Sequence, residues 1–193
     1  MLIVIEGIDK SGKTTQVGML KDALSKEFRV ATLSFPDYST IIGNEIKKFL
    51  TKGGYNTRVM HLLLSANRWE NKDRLESLLS SNDILILNRY YQSNIVYGLA
   101  NDLPLDWLEM LDKGLPKEDL TIIIDISIDT FLARISKPDI FESDLTKMRN
   151  VIRVYRELVG RYGWNIINGE KSKDEVHKDI MKIVRSFINK HHL

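Results

Sequence analysis

The segment Gly7-Ile8-Asp9-Lys10-Ser11-Gly12-Lys13-Thr14 directly follows the apolar run Leu2–Ile5 and opens a stretch of helical spacing. Glycines at both ends of such a turn let backbone N–H groups point inward around phosphate oxygens. The helix that starts there adds a partial positive charge from its N-terminus. In this pattern Lys13 reaches the β- and γ-phosphates of ATP, and the Thr14 hydroxyl ligates Mg²⁺. Gly7, Ile8, Asp9, Lys10, Ser11, Gly12, Lys13, Thr14 and Thr15 are therefore the candidate ATP-binding residues.

The rest of the chain alternates short apolar runs with longer amphipathic stretches. Leu2–Ile5, Arg29–Phe35, Asp83–Leu87, Leu120–Ile126 and Trp164–Ile167 read as strands. Between them the spacing predicts helices over Thr14–Glu27, Thr40–Leu50 (ended by Gly53-Gly54), Thr57–Ser80, Gln92–Ala100, Leu105–Lys113, Ile128–Ile135 and Leu145–Tyr162. A last helix is expected over Lys173–Asn189. Ser136–Glu142, broken by Pro138, reads as a loop. Nearly continuous apolar strands that alternate with helices imply a parallel sheet covered on both faces. The expected fold is α/β of the P-loop NTPase kind, one kinase domain over 1–193, with five parallel strands and a short lid at about 136–142. Ligands of such sheets sit beyond the carboxyl ends of the strands. Glu6 to Thr14, Pro36-Asp37 and Asn88-Arg89 all fall there.

Composition narrows the options. The 193 residues are 43% apolar and carry a formal net charge of only +2, so a dominant basic face for nucleic acid is not expected. There is no cysteine, which excludes disulfides, thiolate metal sites and cysteine nucleophiles and fits a cytoplasmic protein. No apolar run reaches the roughly 18 residues of a membrane span. Met1-Leu2-Ile3-Val4-Ile5 runs straight into a polar motif and reads as a strand rather than a signal peptide. His61, His177, His191 and His192 lack metal-ligand spacing. Trp69, Trp107 and Trp164 read as packing or interface residues, and Lys171–Lys190 as a solvated helix face.

Several segments together resemble the thymidylate kinase family: Glu6 to Gln16, Phe35-Pro36-Asp37 through Gly43, His61 through Glu70, Arg89-Tyr90-x-x-Ser93, and Asp125 to Arg134. The resemblance covers nearly the whole chain. It implies transfer of the γ-phosphoryl of ATP to dTMP, giving dTDP and ADP, in a cytoplasmic homodimer with Mg²⁺. It implies catalytic roles for Lys13, Asp9, Lys10 and Arg89, with Arg89 on the acceptor phosphate. It places Arg68 on the thymine carbonyl, Asp9 at the sugar 3′-hydroxyl or as a tuner of the cation cluster, and Arg134 against adenine. Phe35, Pro36, Leu50, Leu64, Ser93, Asn94, Tyr97 and, in the lid, Phe141 fall where the family lines its dTMP pocket.

Three positions depart from the family pattern. Asn88 stands in place of an aspartate, and Glu6 (through water to the metal) or Asp9 is the expected source of the missing carboxylate. Tyr38 stands in place of an arginine, so Lys10 is expected to supply charge. Leu64 stands in place of a phenylalanine, which weakens base contact by about 1 kcal/mol and opens the site to dUMP. The competing readings are a kinase for another deoxynucleoside or its monophosphate, and a nucleotide-binding regulatory protein with weakened catalysis.

Overall fold

The computed structural model describes residues 1–52, 56–135 and 145–191. Gly53, Gly54, Phe141, His192 and the expected lid at 136–142 lie outside the described residues. In chain order the elements are β1 (Leu2–Glu6), α1 (Lys13–Leu24), β2 (Val30–Ser34), α2 (Ile41–Lys52), α3 (Thr57–Glu70), α4 (Lys72–Ser81) and β3 (Ile84–Asn88). They continue with α5 (Tyr91–Leu99), α6 (Leu105–Leu111), β4 (Leu120–Asp125), α7 (Ile128–Arg134), α8 (Leu145–Tyr162), β5 (Asn165–Asn168) and α9 (Lys173–His191).

The five strands form one parallel sheet in the order β2-β3-β1-β4-β5. This is the α/β arrangement expected of a P-loop NTPase fold. β1 lies at the centre, with Leu2 opposite Leu85 of β3 and Ile3 opposite Leu120 of β4. Successive side chains of a strand point to opposite faces, and both faces are covered here. Ile3, Ile5, Ile84, Ile86, Ile122 and Ile124 meet Leu20 and Leu24 of α1 and Ile180 and Val184 of α9. On the other face Leu2, Val4, Leu85 and Leu87 meet Leu75 of α4 and Tyr90. Ile123 joins a further cluster with α5, α6, α7 and α8. That two-sided burial explains why β1, β3 and β4 are mostly apolar, with their acids and amides at the carboxyl ends. Among the described residues no helix is long and apolar enough to cross a membrane.

One expectation is corrected. Thr57–Ser80 is two helices, not one, parted at Asn71. The Asn71 N–H donates to the Arg68 carbonyl, 3.2 Å, and its side-chain Nδ2 to the Asn67 carbonyl, 2.9 Å. Asn71 thus satisfies carbonyls that a continuing helix would otherwise bond, and its own carbonyl accepts from Leu75 N as α4 begins. The break serves two partners. Met60 of α3 packs with Ile46 and Phe49 of α2, while α4 turns Leu75 onto the sheet. Apolar periodicity runs through both helices and does not register a change of partner.

Ile86 lies on the central strands and is fully buried. Ile86→Ala is expected to destabilise the fold by roughly 2–5 kcal/mol through lost burial and the cavity left behind. Urea unfolding would show a lower midpoint with an unchanged slope.

Candidate active site

A cavity of about 740 Å³ opens beyond the carboxyl ends of β1, β2 and β3. Its floor is the turn between β1 and α1. Three residues there have positive φ: Gly7 (139°), Lys10 (62°) and Gly12 (99°). A Cβ on Gly7 would lie 2.5 Å from the Ile124 carbonyl oxygen and 2.9 Å from Ser11 Oγ, so only glycine fits where the turn crosses β4. Asp9, Lys10, Gly12, Lys13, Thr14 and Thr15 face the cavity, whereas Gly7, Ile8 and Ser11 form the turn behind it. Lys13 is buried, donates from Nζ to the Ile8 carbonyl at 2.7 Å, and lies 3.8 Å from Asp9 Oδ1. Gln16 anchors the start of α1 to α9 by donating to the Lys173 carbonyl, 2.8 Å.

Arg89 follows β3 with a φ of 67°, a conformation uncommon outside glycine that aims its side chain along the cavity wall. Its Nη2 donates to Asp9 Oδ1 at 2.6 Å and its Nη1 to Ser93 Oγ at 2.8 Å. The guanidinium lies over the Tyr97 ring, 5.7 Å from the centroid. Burial alone would raise the Asp9 pKa, but Arg89, Lys13 and Lys10 overrule it and hold the carboxyl well below the usual carboxylate range.

Glu6 does not take the expected water-mediated metal role. It is 0% exposed and does not line the cavity. Its oxygens accept from Tyr90 N (2.9 Å), Ser93 N (3.1 Å), Ser93 Oγ (2.6 Å) and Tyr155 OH (2.8 Å). With its oxygens engaged this way, it anchors the N-terminus of α5. Asp9 is the acid that reaches the cavity. Asn88 Nδ2 donates to Thr14 Oγ1 at 3.2 Å, while Asn88 Oδ1 is buried without a partner.

The far wall comes from β2, α2, α3 and α5. Phe35, Pro36, Leu50, Leu64, Arg68, Ser93, Asn94 and Tyr97 converge there, with Tyr38 at the rim. Arg68 is 2% exposed, not solvated. Asp112 grips it through Nε (2.8 Å) and Nη2 (2.7 Å), and Ser65 Oγ donates to the same carboxylate at 3.0 Å. The fork leaves Nη1 as the end of the guanidinium not used by Asp112. Arg134 completes the opposite side, donating to the Lys10 carbonyl (3.1 Å) and the Gly169 carbonyl (3.3 Å).

Sequence reasoning missed Met60, His61 and Tyr90, which also line the cavity. It also missed the side chains that hold the walls. Asn67 accepts from Asp37 N (2.7 Å) and donates to the Asp37 carbonyl (3.1 Å) and Thr40 Oγ1 (2.9 Å). Arg74 pairs with Asp37 at 2.9 Å. Gly43 lies so close that a Cβ would sit 1.8 Å from the Asp37 carbonyl oxygen. The quoted segment from Phe35 to Gly43 contained half of this arrangement. Asn67 lies within the His61–Glu70 segment, whereas Arg74 on α4 carries no local signature.

The model of the thymidylate kinase family matches residues 5–180. The chain belongs to the thymidylate kinase family. It is 33% identical over 193 residues to the thymidylate kinase of Dictyostelium discoideum, spanning 98% of this chain and 87% of that protein. It is 34% identical over 201 residues to that of Schizosaccharomyces pombe, spanning 98% and 93%. The solved thymidylate kinase of Candida albicans superposes with a TM-score of 0.88 at 32% identity, covering 100% of this chain and 93% of that one. Thymidylate kinases are ATP-dependent nucleoside-monophosphate kinases, and this membership favours the kinase reading over a regulatory protein. Within the family frame, the departures at Tyr38, Leu64 and Asn88 all lie on the cavity wall.

His61 gives this site a pH signature. Burial, opposed by the hydrogen bond to Asn94, pushes its pKa from the ordinary 6.5 down to about 4. Between those values the unfolded chain binds a proton that the folded chain does not. The contribution is therefore complete above pH 6.5 and is lost as pH falls toward 4, by about 3 kcal/mol. Urea unfolding at pH 7 and pH 4 is expected to show this loss in the wild type and to show it reduced by that amount in His61→Asn. Matching pH dependences for the two proteins would contradict it.

Proposed function

We propose that this chain phosphorylates dTMP with ATP, giving dTDP and ADP, as one kinase domain. The observation that carries the reading is the 2.6 Å bond between Asp9 of the phosphate loop and Arg89 at the end of β3. It joins a donor cradle to a cation placed for an acceptor phosphate. Two negatively charged phosphates must meet for the transfer, and cations between them lower that repulsion. Lys13 and the backbone N–H groups of the loop hold the ATP phosphates. Arg89 takes the acceptor phosphate in its fork. Lys10 replaces part of the charge absent at Tyr38. Arg134 offers adenine a planar cation. Catalysis is positioning and charge neutralisation, with no covalent enzyme intermediate.

The far wall suits a pyrimidine nucleoside. Arg68 Nη1 donates to the base carbonyl, Phe35, Leu50 and Leu64 pack around the base, and Ser93, Asn94 and Tyr97 flank the nucleoside. Leu64 gives the base an aliphatic contact where an aromatic one would grip harder, which supports acceptance of dUMP beside dTMP. The related Candida albicans enzyme is itself described for its broad substrate specificity.

The residues present fit Mg²⁺ beside the phosphates: the Thr14 hydroxyl and the unpaired Asn88 Oδ1 are neutral oxygens of the kind that hold the ion or its waters. When bound, the ion would neutralise phosphate charge. Val59, Leu62 and Trp69 of α3, together with Met110, leave an apolar face exposed, which supports a homodimer. A cysteine-free chain acting on ATP fits the cytoplasm.

ADP release with ATP, Mg²⁺ and a panel of nucleosides and monophosphates tests the reading. The highest kcat/KM is expected with dTMP, followed by dUMP. Absence of turnover with every monophosphate would sink it. Lys10→Ala is expected to lower kcat at least tenfold while ATP affinity changes little. Parallel losses in kcat and affinity would assign Lys10 to ATP binding alone.

A further inference from the structure

His61 lies one turn before Leu64 and two turns before Arg68 on the same face of α3, and all three line the cavity. It is 1% exposed. Its two ring nitrogens differ in their surroundings. Asn94 Nδ2 donates to the His61 carbonyl at 3.2 Å, which fixes the orientation of the amide. Asn94 Oδ1 then faces His61 Nδ1 at 2.6 Å. An amide oxygen only accepts, so Nδ1 carries the ring proton. The ring is neutral at physiological pH because burial holds its pKa near 4. Nε2 is left as a bare acceptor, buried and without a hydrogen-bond partner. A buried acceptor left unpaired is costly, and a ligand that brings a donor removes that cost.

The ligand groups available differ in what they offer. Phosphates at the other end of the cavity have no N–H to give. The imide edge of thymine or uracil offers a carbonyl oxygen and, next to it, an N–H at N3. Arg68 Nη1 donates and His61 Nε2 accepts, which is the complement of that edge. Cytosine reverses both positions, with an amino donor toward the arginine and a bare N3 toward the bare Nε2. We propose that His61 Nε2 accepts the N3–H of the pyrimidine base and so selects thymine and uracil against cytosine. The assignment rests on the reading that the base lies against Leu64 and Arg68.

His61→Asn separates this role from a structural one. The asparagine amide nitrogen can donate to Asn94 Oδ1 as Nδ1 does, but nothing occupies the place of Nε2. With saturating ATP, kcat/KM for dTMP and dUMP is expected to fall about tenfold. For dCMP, followed as substrate and as competitive inhibitor of dTMP phosphorylation, it should stay level or improve. A common factor of loss for all three, as a ribose contact or a packing defect would give, or no loss at all, would overturn the assignment. The wild-type protein provides a second measurement that does not depend on the variant folding. In nitrogen-15 histidine spectra the His61 Nε2 resonance should move upfield on saturation with dTMP and stay in place with N3-methyl-dTMP. A resonance unmoved by bound dTMP would overturn the assignment too. If the wild type does not phosphorylate dTMP at all, the fault lies in the thymidylate kinase reading and not in His61.

Discussion

Glu6 holds the site together from underneath. It is the last residue of β1, at the centre of the sheet, and it sits where β1 and β3 end and α5 begins. By accepting from the backbone of Tyr90 and Ser93 it fixes where α5 starts, and by accepting from Tyr155 it ties α8 to the same point. Arg89 stands directly before α5, so its position follows from this anchor. The residue is a fully buried carboxyl, and hydrogen bonds from Gly7 N, Tyr90 N, Ser93 N, Ser93 Oγ and Tyr155 OH are what make such burial tolerable.

The features visible in the sequence are those whose determinants lie close together along the chain. The phosphate loop is a contiguous run, and its neighbours Leu2–Ile5 and Val17, Leu20 and Leu24 announce a strand and a helix. The central strands of the two-sided parallel sheet are mostly apolar and stand out for that reason. Arg89 and Arg68 were found because short motifs surround them. The partner of Arg68 was not: Asp112 lies 44 residues beyond it, and nothing near Asp112 marks it as a clamp. Glu6 shows the same limit from the other direction. An acid beside a phosphate loop reads locally as a metal ligand, and only the arrival of Tyr155 from 149 residues away shows that its oxygens are already used. Asn71 escaped detection because capping by an asparagine leaves the apolar period intact.

The three departures from the family pattern have one physical theme. Asparagine at position 88, tyrosine at 38 and leucine at 64 stand where the family resemblance leads one to expect a charged or aromatic side chain. Several groups of the cavity are tied to the phosphate loop. Asn88 binds Thr14, Arg134 binds the Lys10 carbonyl, and Arg89 binds Asp9. The loop thus has contacts to the ends of β3, α7 and, through Gln16, α9. Its shape is set by the whole carboxyl edge of the sheet as well as by its own glycines.

Asp9 touches both cations at once, with Arg89 at 2.6 Å and Lys13 at 3.8 Å. A nucleotide that draws Lys13 toward its phosphates weakens that cation's claim on the carboxylate, and Arg89 then feels more of it. A monophosphate that draws Arg89 has the mirror effect on Lys13. Each ligand changes the electrostatic ground on which the other lands, and thermodynamic reciprocity makes the two changes equal. Under the proposed function, one carboxylate shared between two cations would make the affinities of donor and acceptor functions of each other's occupancy.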